Sequence, residues 1–251
     1  MKVPQFIHLL GSPPWFYRIS GQLMPVLGLL ACALLIVAWV WGLGFAPEDA
    51  KQGNSYRIIY LHVPTAVIAL AGYYVMAFTG LVYLVWRIQL MALMLKSAAL
   101  IGAAMTFLAL FSGAVWGKPT WGTWWVWDAR ITSMLILFFL YLGVLGIINA
   151  FSGSKTSQQA GVKAASILAL VGTVNIPIIY KSVDWWFSLH QPATLKLTGK
   201  SNIDGSMLTP LLIAIVGCYV FYAFMLLWRT RIELQSSEHN KQWLRDAVSK
   251  K

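Results

Sequence analysis

Charged side chains are scarce in this sequence. They make up 11% of the 251 residues, whereas hydrophobic residues make up 59% and the mean hydropathy is +0.68. Because soluble domains carry about 25% charged residues, this composition excludes an ordinary soluble protein and predicts an integral membrane protein. Eight acidic residues stand against nineteen Lys and Arg, a net charge of +11. Membrane proteins collect Lys and Arg in their cytoplasmic loops, so the basic excess does not call for a nucleic-acid partner.

Motifs for several kinds of chemistry are missing as well. There are two cysteines, Cys32 and Cys218, and neither C-x-x-C nor C-x-x-C-H occurs in the sequence. Their absence argues against thiol redox chemistry and against covalent attachment of a haem to this chain. There is also no G-x-x-x-x-G-K-[ST], so the chain is not expected to be a P-loop ATPase itself.

Long apolar runs are the main positive feature. A helix needs about 20 apolar residues to cross a bilayer. Six charge-free runs predict transmembrane helices at about 23–45, 61–86, 97–116, 131–151, 164–180 and 207–228. The fifth run is the shortest, and Pro177 near its end weakens it. The runs are too long for barrel strands, so we expect an all-α integral membrane protein, a single domain over 1–251 built as a bundle of six helices.

The distribution of Lys and Arg predicts the orientation of the bundle. Six spans place both termini on one side of the membrane. The termini and the loops after the second and fourth spans hold twelve Lys and Arg residues, whereas the other three loops hold seven. The positive-inside rule therefore predicts both termini in the cytoplasm and the other three loops outside. The tail from Arg229 onward mixes charges of both signs and is expected to form a short solvated helix.

Tryptophan is concentrated in the outward loop between the third and fourth spans, in the stretch WGTWWVWDARIT (121–132). Seven of the thirteen tryptophans lie in or beside the outward loops. An anchoring belt would populate both membrane interfaces, so this one-sided density favours a platform for a large flat molecule. If the run is helical, its spacing places three indoles and Asp128 on one stripe. Gly117, Pro119 and Gly122 favour a bent loop before any such helix.

Two histidines, His62 and His190, also fall on the predicted outward side. An ionisable group at the edge of a span is costly without a partner and is often functional. Three interpretations are open on these grounds. A haem would use the indoles for stacking and the imidazoles for iron. A quinone, lipid or polyprenyl carrier would use the indoles alone. With no ligand, the aromatic patch would be a docking surface for partner proteins.

The stretch WGKPTWGTWWVWDARIT (116–132) resembles the tryptophan-rich WWD motif of the haem-handling membrane proteins of cytochrome c biogenesis. Within that group, the length of the chain, its six spans and its two outward histidines are similar to the haem exporter protein C (CcmC) family. The resemblance covers nearly the whole chain, and the motif is specific because so many tryptophans surround one aspartate.

The resemblance implies a carrier in the bacterial inner membrane, not an enzyme, that holds haem b as cargo at the periplasmic face. It implies delivery to a membrane-anchored haem chaperone, with a two-component ABC transporter and a small membrane subunit as further partners. The axial ligands of the iron would be His62 and His190. The haem platform would be formed by Trp116, Trp121, Trp124, Trp125, Trp127 and Asp128.

Two details of such a site are left open by the sequence. Haem propionates need cations, and four on the predicted outward side are candidates: Arg57, Lys118, Arg130 and Lys181. For Asp128, a structural role, either orienting an indole N–H or pairing with Arg130, is as consistent with the sequence as direct contact with a ligand.

Overall fold

The computed structural model describes residues 11–190 and 203–249, which are almost entirely helical. The elements in chain order are α1 Pro13–Trp39, α2 Ile59–Trp86, α3 Gln89–Trp121, α4 Ala129–Ala150, α5 Lys155–Gly172, α6 Asn175–Trp185, α7 Gly205–Glu238 and α8 Gln242–Ser249. A π-helical turn, Val40–Phe45, extends α1, and a 3-10 helix, Asn54–Ile58, leads into α2.

Six helical stretches are long and apolar enough to cross a membrane, which confirms the predicted all-α architecture. They are Pro13–Phe45, Asn54–Trp86, Gln89–Trp121, Ala129–Ala150, Lys155–Trp185 and Gly205–Glu238. Most extend beyond the apolar runs that predicted them, because hydropathy marks the part of a helix inside the bilayer and not its polar ends.

The fifth span is a broken helix. Its first part, α5, ends at Gly172, and α6 begins at Asn175 after two intervening residues. Pro177 is the third residue of α6, where a backbone N–H has no acceptor within the helix, so the proline starts the second part without interrupting it. The side-chain amide of Asn175 donates to the carbonyl of Ser133 on α4 at 2.9 Å, which fixes the break against a neighbouring helix.

The tryptophan run is divided between a helix end and a loop. Helix α3 continues through Gly117 and Pro119, so the loop expected at these two residues does not form there. It ends at Trp121 and is followed by Gly122 as its C-cap, whose φ of 79° suits glycine. Residues 122–128 are not helical, and α4 begins only after Asp128. The single helical stripe considered from the spacing is therefore not formed.

Small apolar clusters close the two ends of the bundle around a larger central core. At the end that carries the loop 122–128, called here the tryptophan end, the cluster joins α2, α7 and the segment after α1. At the opposite end, the cluster joins the starts of α1 and α3 to the last turns of α7 and to α8. There α7 continues to Glu238 with Arg231 and Glu233 buried. The expectation of a solvated tail from Arg229 onward was therefore wrong for this part of the chain.

Candidate functional site

A cavity of about 300 Å³ lies at the tryptophan end, between α2, α3, α4 and α6. Both histidines singled out in the sequence line it, although they are far apart along the chain. Four of the predicted platform tryptophans line it as well, and aliphatic side chains form most of the remaining wall. Its polar and aromatic lining includes Gln52, His62, Trp116, Trp121, Trp124, Trp125, Arg130, Tyr180 and His190.

His62 is held by the backbone and a hydroxyl of α3. Its Nδ1 lies 3.1 Å from the carbonyl oxygen of Ala109 and 3.1 Å from Oγ of Ser112. The Ser112 hydroxyl donates to the carbonyl of Leu108 at 2.7 Å, so both neighbours present oxygen lone pairs to the imidazole. This network assigns the proton to Nδ1 and leaves the lone pair on Nε2, the atom that can bind a metal.

Gly113 makes the close approach of His62 to α3 possible. A Cβ added at this glycine would lie 3.0 Å from Cε1 of the imidazole, a distance tighter than almost all real contacts. A larger residue at this position would therefore push the ring away from α3 and from its hydrogen-bond partners.

His190 is held by a carboxylate instead. Its Nδ1 lies 2.8 Å from Oδ2 of Asp128, and the same oxygen accepts from Oγ of Ser188 at 2.5 Å. The other carboxylate oxygen caps α4 by accepting from the backbone N–H of Ile131 at 2.8 Å. Asp128 is therefore fixed by the start of a helix and in turn fixes the imidazole. This is the arrangement in which an outer carboxylate orients a metal-binding histidine and leaves Nε2 as the ligand atom.

The protonation of this pair is set by burial and hydrogen bonding. Burial raises the pKa of the Asp128 carboxyl, but the hydrogen bonds from Ile131, Ser188 and His190 outweigh burial and hold that pKa below its ordinary value. Burial lowers the pKa of His190, and the neighbouring carboxylate offsets this only in part. At neutral pH the pair is therefore an ionised carboxylate accepting from a neutral imidazole, the state that metal binding requires.

Two of the cavity indoles pack against the histidines. Trp116 lies edge-on to His62 with ring centres 5.6 Å apart, and its N–H donates to Oε1 of Gln52 at 2.8 Å. Trp121, the last residue of α3, lies edge-on to His190 with ring centres 4.9 Å apart. Each imidazole thus has an aromatic neighbour as well as a hydrogen-bond partner, and both restrict the orientation of its ring.

The other tryptophans of the run lie between the cavity and solvent. Trp125 lines the cavity, and its buried N–H has no partner among the described residues, which is unusual for a buried indole. Trp124 lines the cavity but is 57% exposed. Trp127 does not line it: this residue is 76% exposed and packs edge-on against Trp125.

Asp128 does not line the cavity either, and lies behind His190. The pairing with Arg130 that the sequence allowed is not formed. The guanidinium of Arg130 donates instead to Oγ of Ser182 at 3.3 Å and to the carbonyl of Tyr180 at 3.4 Å, both on α6. An indole N–H is not the partner of this carboxylate in the described residues, since its two oxygens accept from the backbone, a serine and the histidine.

Of the four candidate cations, Arg130 lines the cavity. The other three are engaged elsewhere. Arg57 donates to the carbonyls of residues 43 and 46 at 2.6 and 2.7 Å. Lys118 donates to the carbonyl of residue 122 at 3.1 Å. Lys181 pairs with Asp184 at 3.0 Å. Of these four, Arg130 is therefore the cation that the fold places beside the cavity.

Three supporting residues were not identified from the sequence: Gln52, Ser112 and Ser188. Each is a single polar residue with no motif around it, and each acts through a contact distant in sequence, Gln52 with Trp116 and Ser112 with His62. Ser188 lies two residues before His190, but its bond to Asp128 depends on the fold. No pattern in the sequence could have found them.

The sequence profile described as CcmC, Heme exporter protein C, matches residues 6–245. The chain belongs to this family. It is 46% identical over 241 residues to "Heme exporter protein C" of Haemophilus influenzae, covering 96% of each chain. It is 44% identical over 245 residues to the protein of that name from Escherichia coli K12, covering 98% of this chain and 97% of the relative. The one from Bradyrhizobium diazoefficiens is 40% identical over 225 residues, covering 90% and 84%.

Membership of the heme exporter protein C family confirms the resemblance drawn from the WWD motif. The matched region runs from before α1 to within α8, so it includes all six spans and every residue of the cavity described above.

Proposed function

We propose that this chain holds haem at the tryptophan end and delivers it to a membrane-anchored haem chaperone for cytochrome c biogenesis. The observation that carries this proposal is the meeting of His62 and His190 in one cavity, each with its Nδ1–H hydrogen-bonded and its Nε2 lone pair available. Both imidazoles would be axial ligands of the iron. Such a six-coordinate iron has no open position for oxygen, which suits a carrier and not a redox catalyst.

The donor set also favours a macrocycle over a bare ion. In residues 11–190 and 203–249, no group of three or more His, Cys, Asp or Glu side chains is arranged to hold a metal ion. Two imidazoles alone would be a poor site for a free cation. A porphyrin supplies the remaining ligands itself, and the indoles of Trp116, Trp121, Trp124 and Trp125 supply apolar surface for its ring.

The cavity encloses its cargo only in part. Its volume of about 300 Å³ is at the lower end of the range for small-molecule pockets, about 300–1,000 Å³. Part of a porphyrin would therefore lie against the exposed indoles of Trp124 and Trp127. Trp185, Trp186 and Phe187 add further exposed aromatic surface at the end of α6. An incompletely covered ligand beside an aromatic surface suits transfer to a partner protein.

The orientation and partners complete the proposal. The excess of Lys and Arg at the opposite end supports cytoplasmic termini and a periplasmic tryptophan end, in a bacterial inner membrane. The relatives are named for haem export, and we extend haem handling to this chain on the basis of its cavity. Haem b would be the cargo. A two-component ABC transporter would supply ATP hydrolysis, and a small membrane subunit would complete the complex.

A quinone or lipid carrier, or a docking surface without a ligand, would explain the indoles but not the two oriented histidines. The absorption spectrum of the purified protein separates these possibilities. The wild type should show a Soret band and a six-coordinate, low-spin haem. Replacing either His62 or His190 with Ala should give high-spin haem or loss of haem, and the double variant should lose most of it. His239→Ala, at an exposed site at the other end of the bundle, is the matched control.

Rescue by imidazole distinguishes a ligand from a structural residue. Added imidazole should restore low-spin character to each single variant, because it fills the vacated axial position. A structural histidine would not be replaced in this way, since free imidazole cannot restore a packing contact between helices. An unchanged low-spin spectrum in one variant would remove that histidine from the iron. A wild type without a Soret band after haem loading would refute the proposal.

A further inference from the structure

A second groove lies at the end of the bundle opposite the tryptophans, between α1, α7 and α8. It has a volume of about 760 Å³. Two arginines line it, Arg18 from α1 and Arg231 from α7, together with one acidic residue, Asp246 from α8. Nothing in the haem site uses this groove, because the two sites lie at opposite ends of the transmembrane helices.

Arg231 is buried, and its charge is not balanced by a carboxylate. The residue is 7% exposed. Its Nη1 donates to the carbonyl of Tyr17 and, at 3.0 Å, to Oγ of Ser20. The guanidinium carbon lies 3.7 Å from the centre of the Tyr17 ring. Within the described residues, Arg231 forms no ion pair. A guanidinium has five N–H donors, so donors remain for a further ligand.

Gly21 allows the guanidinium to lie against α1. A Cβ at this position would be 3.1 Å from Nη1 of Arg231, so a side chain here would displace the arginine from the helix surface. The charge is therefore held in a fixed position next to the groove by Gly21, Tyr17 and Ser20. A fixed guanidinium suits the recognition of a tetrahedral oxyanion, because its fork of donors is already oriented.

The acidic residues near the groove do not neutralise the two arginines. Glu233 is paired with Lys96 at 2.9 Å and with Arg229 at 2.7 Å. Glu238 accepts from the indole N–H of Trp243 at 2.9 Å. Asp246 is exposed and accepts from the side chain of Gln242 at 2.8 Å. The lining therefore carries two guanidinium groups against one solvent-facing carboxylate, an excess of positive charge.

The depth of the groove in the bilayer is indicated by its aromatic residues. Trp15 and Trp243 both line it, and tryptophan is enriched at the level of the lipid headgroups. Helix α8 buries Leu244 in the cluster that closes this end of the bundle and leaves Arg245 exposed, as is Lys241 just before the helix. A short helix with one apolar and one charged face is suited to the membrane interface.

We infer that this groove binds the phosphate of an anionic phospholipid headgroup, with Arg18 and Arg231 as the phosphate-binding residues. Basic pockets between transmembrane helices at the cytoplasmic side are suited to anionic headgroups. Attraction to such lipids amounts to about 1 kcal/mol for each Lys or Arg at the surface, equivalent to about fivefold in affinity. The inference does not depend on haem binding, and a soluble phosphate or an acidic peptide would be a different occupant.

Lipid retention by the full-length protein in detergent tests the inference, with native mass spectrometry as the readout. Dioleoylphosphatidylglycerol should be retained about fivefold or more over dioleoylphosphatidylcholine. Arg18→Gln should reduce the affinity for phosphatidylglycerol about fivefold, and Arg18→Lys should retain most of it, because the charge is kept. Arg231 is left intact, since its removal would also remove its contacts with Tyr17 and Ser20 of α1. The matched control is Arg245→Gln. Arg245 is also exposed, lies on α8 and does not line the groove, so this variant should bind phosphatidylglycerol like the wild type.

Four outcomes would overturn the inference. Equal loss in Arg245→Gln and Arg18→Gln would show general surface attraction, and unchanged binding in Arg18→Gln would show that the groove is not the site. Equal retention of phosphatidylcholine would remove the need for an anionic headgroup. Complete displacement of the lipid by inorganic phosphate at the same concentration would indicate a soluble anion instead. The Soret band should be unchanged in Arg18→Gln, so a failure here is separate from a failure of the haem proposal.

Discussion

Replacing Asp128 with Asn removes the charge behind His190 while leaving most of the local structure in place. In the wild type, one carboxylate oxygen caps α4 through the backbone N–H of Ile131, and the other accepts from Ser188 and His190. Asparagine is an equally good helix cap, so its side-chain oxygen can retain the bond to Ile131. Its amide nitrogen would then face the Nδ1–H of the imidazole, and two donors cannot bond to each other.

The expected loss of haem affinity follows from the contact between Asp128 and His190. Outer carboxylates and similar partners of metal-binding histidines are worth about 10–100-fold in metal affinity, equivalent to about 1.4–2.7 kcal/mol. We expect Asp128→Asn to weaken haem binding by about this factor at neutral pH. Asp128→Ala would add the loss of a helix cap, about 0.5–2 kcal/mol of folding stability, which would confuse the two roles of the residue.

The assay is a haem titration of purified protein followed by the Soret band, with thermal unfolding of the haem-free protein measured in parallel. Asp204→Asn is the matched control, because Asp204 also caps a helix, α7, and does not line the cavity. Both variants should unfold near the wild-type temperature, and only Asp128→Asn should lose affinity. An Asp128→Asn protein with wild-type haem affinity and spectrum would refute the positioning role of the carboxylate.

Three further predictions concern the proposed haem site and the orientation of the bundle. Burial holds the pKa of His190 below the ordinary histidine value of about 6.5, so acid titration should leave the low-spin spectrum unchanged through that value and abolish it only at lower pH. A low-spin spectrum lost above pH 6.5 would contradict this ligand assignment. Replacing Trp121, Trp124 and Trp125 together with Ala should lower haem retention in a bundle that still folds, whereas Trp228→Ala, at an exposed site on α7 outside the cavity lining, should retain haem. A stable triple variant with normal haem content would exclude the platform. Finally, a reporter that works only in the cytoplasm should be active when it is fused to the C-terminus. An outward C-terminus would reverse the proposed orientation of the bundle.

The architecture was predictable because the bilayer imposes a simple rule on the sequence. Backbone groups inside the membrane must be bonded within the helix, so apolar runs of sufficient length identify helices directly. The ends of the helices were not predictable in the same way. Helix α3 extends from Gln89 to Trp121, whereas its apolar run suggested 97–116. Its extra turns lie outside the hydrophobic run, and hydropathy carries no information about them.

The break in the fifth span was also not predictable from the local sequence. Pro177 weakened the prediction of that span, yet the helix is interrupted earlier, at the two residues after Gly172, and Pro177 lies in the first turn of the second part. What stabilises the break is the bond from Asn175 to a carbonyl of α4. That bond joins residues 42 positions apart, so no local pattern could indicate it.

The two histidines could be assigned to the same side of the membrane from the sequence, because the spans alternate in direction. Their support could not be predicted. The Asp128–His190 bond spans 62 positions, and the bond from His62 to the carbonyl of Ala109 spans 47. Such contacts depend on how the helices pack and not on the residues that flank each histidine. The sequence motif therefore identified the aspartate, but its role became visible only in the fold.

The position of Asp128 also explains why the tryptophan run ends in an aspartate. The loop 122–128 must place aromatic rings beside the cavity and then return to a transmembrane helix. Asp128 does this by capping α4 with one oxygen while its other oxygen holds His190. The same residue thus ties the end of the aromatic loop to the segment after α6, which carries the second histidine. Since α6 is also joined to α4 through Arg130, the start of α4 determines where both the loop and His190 lie.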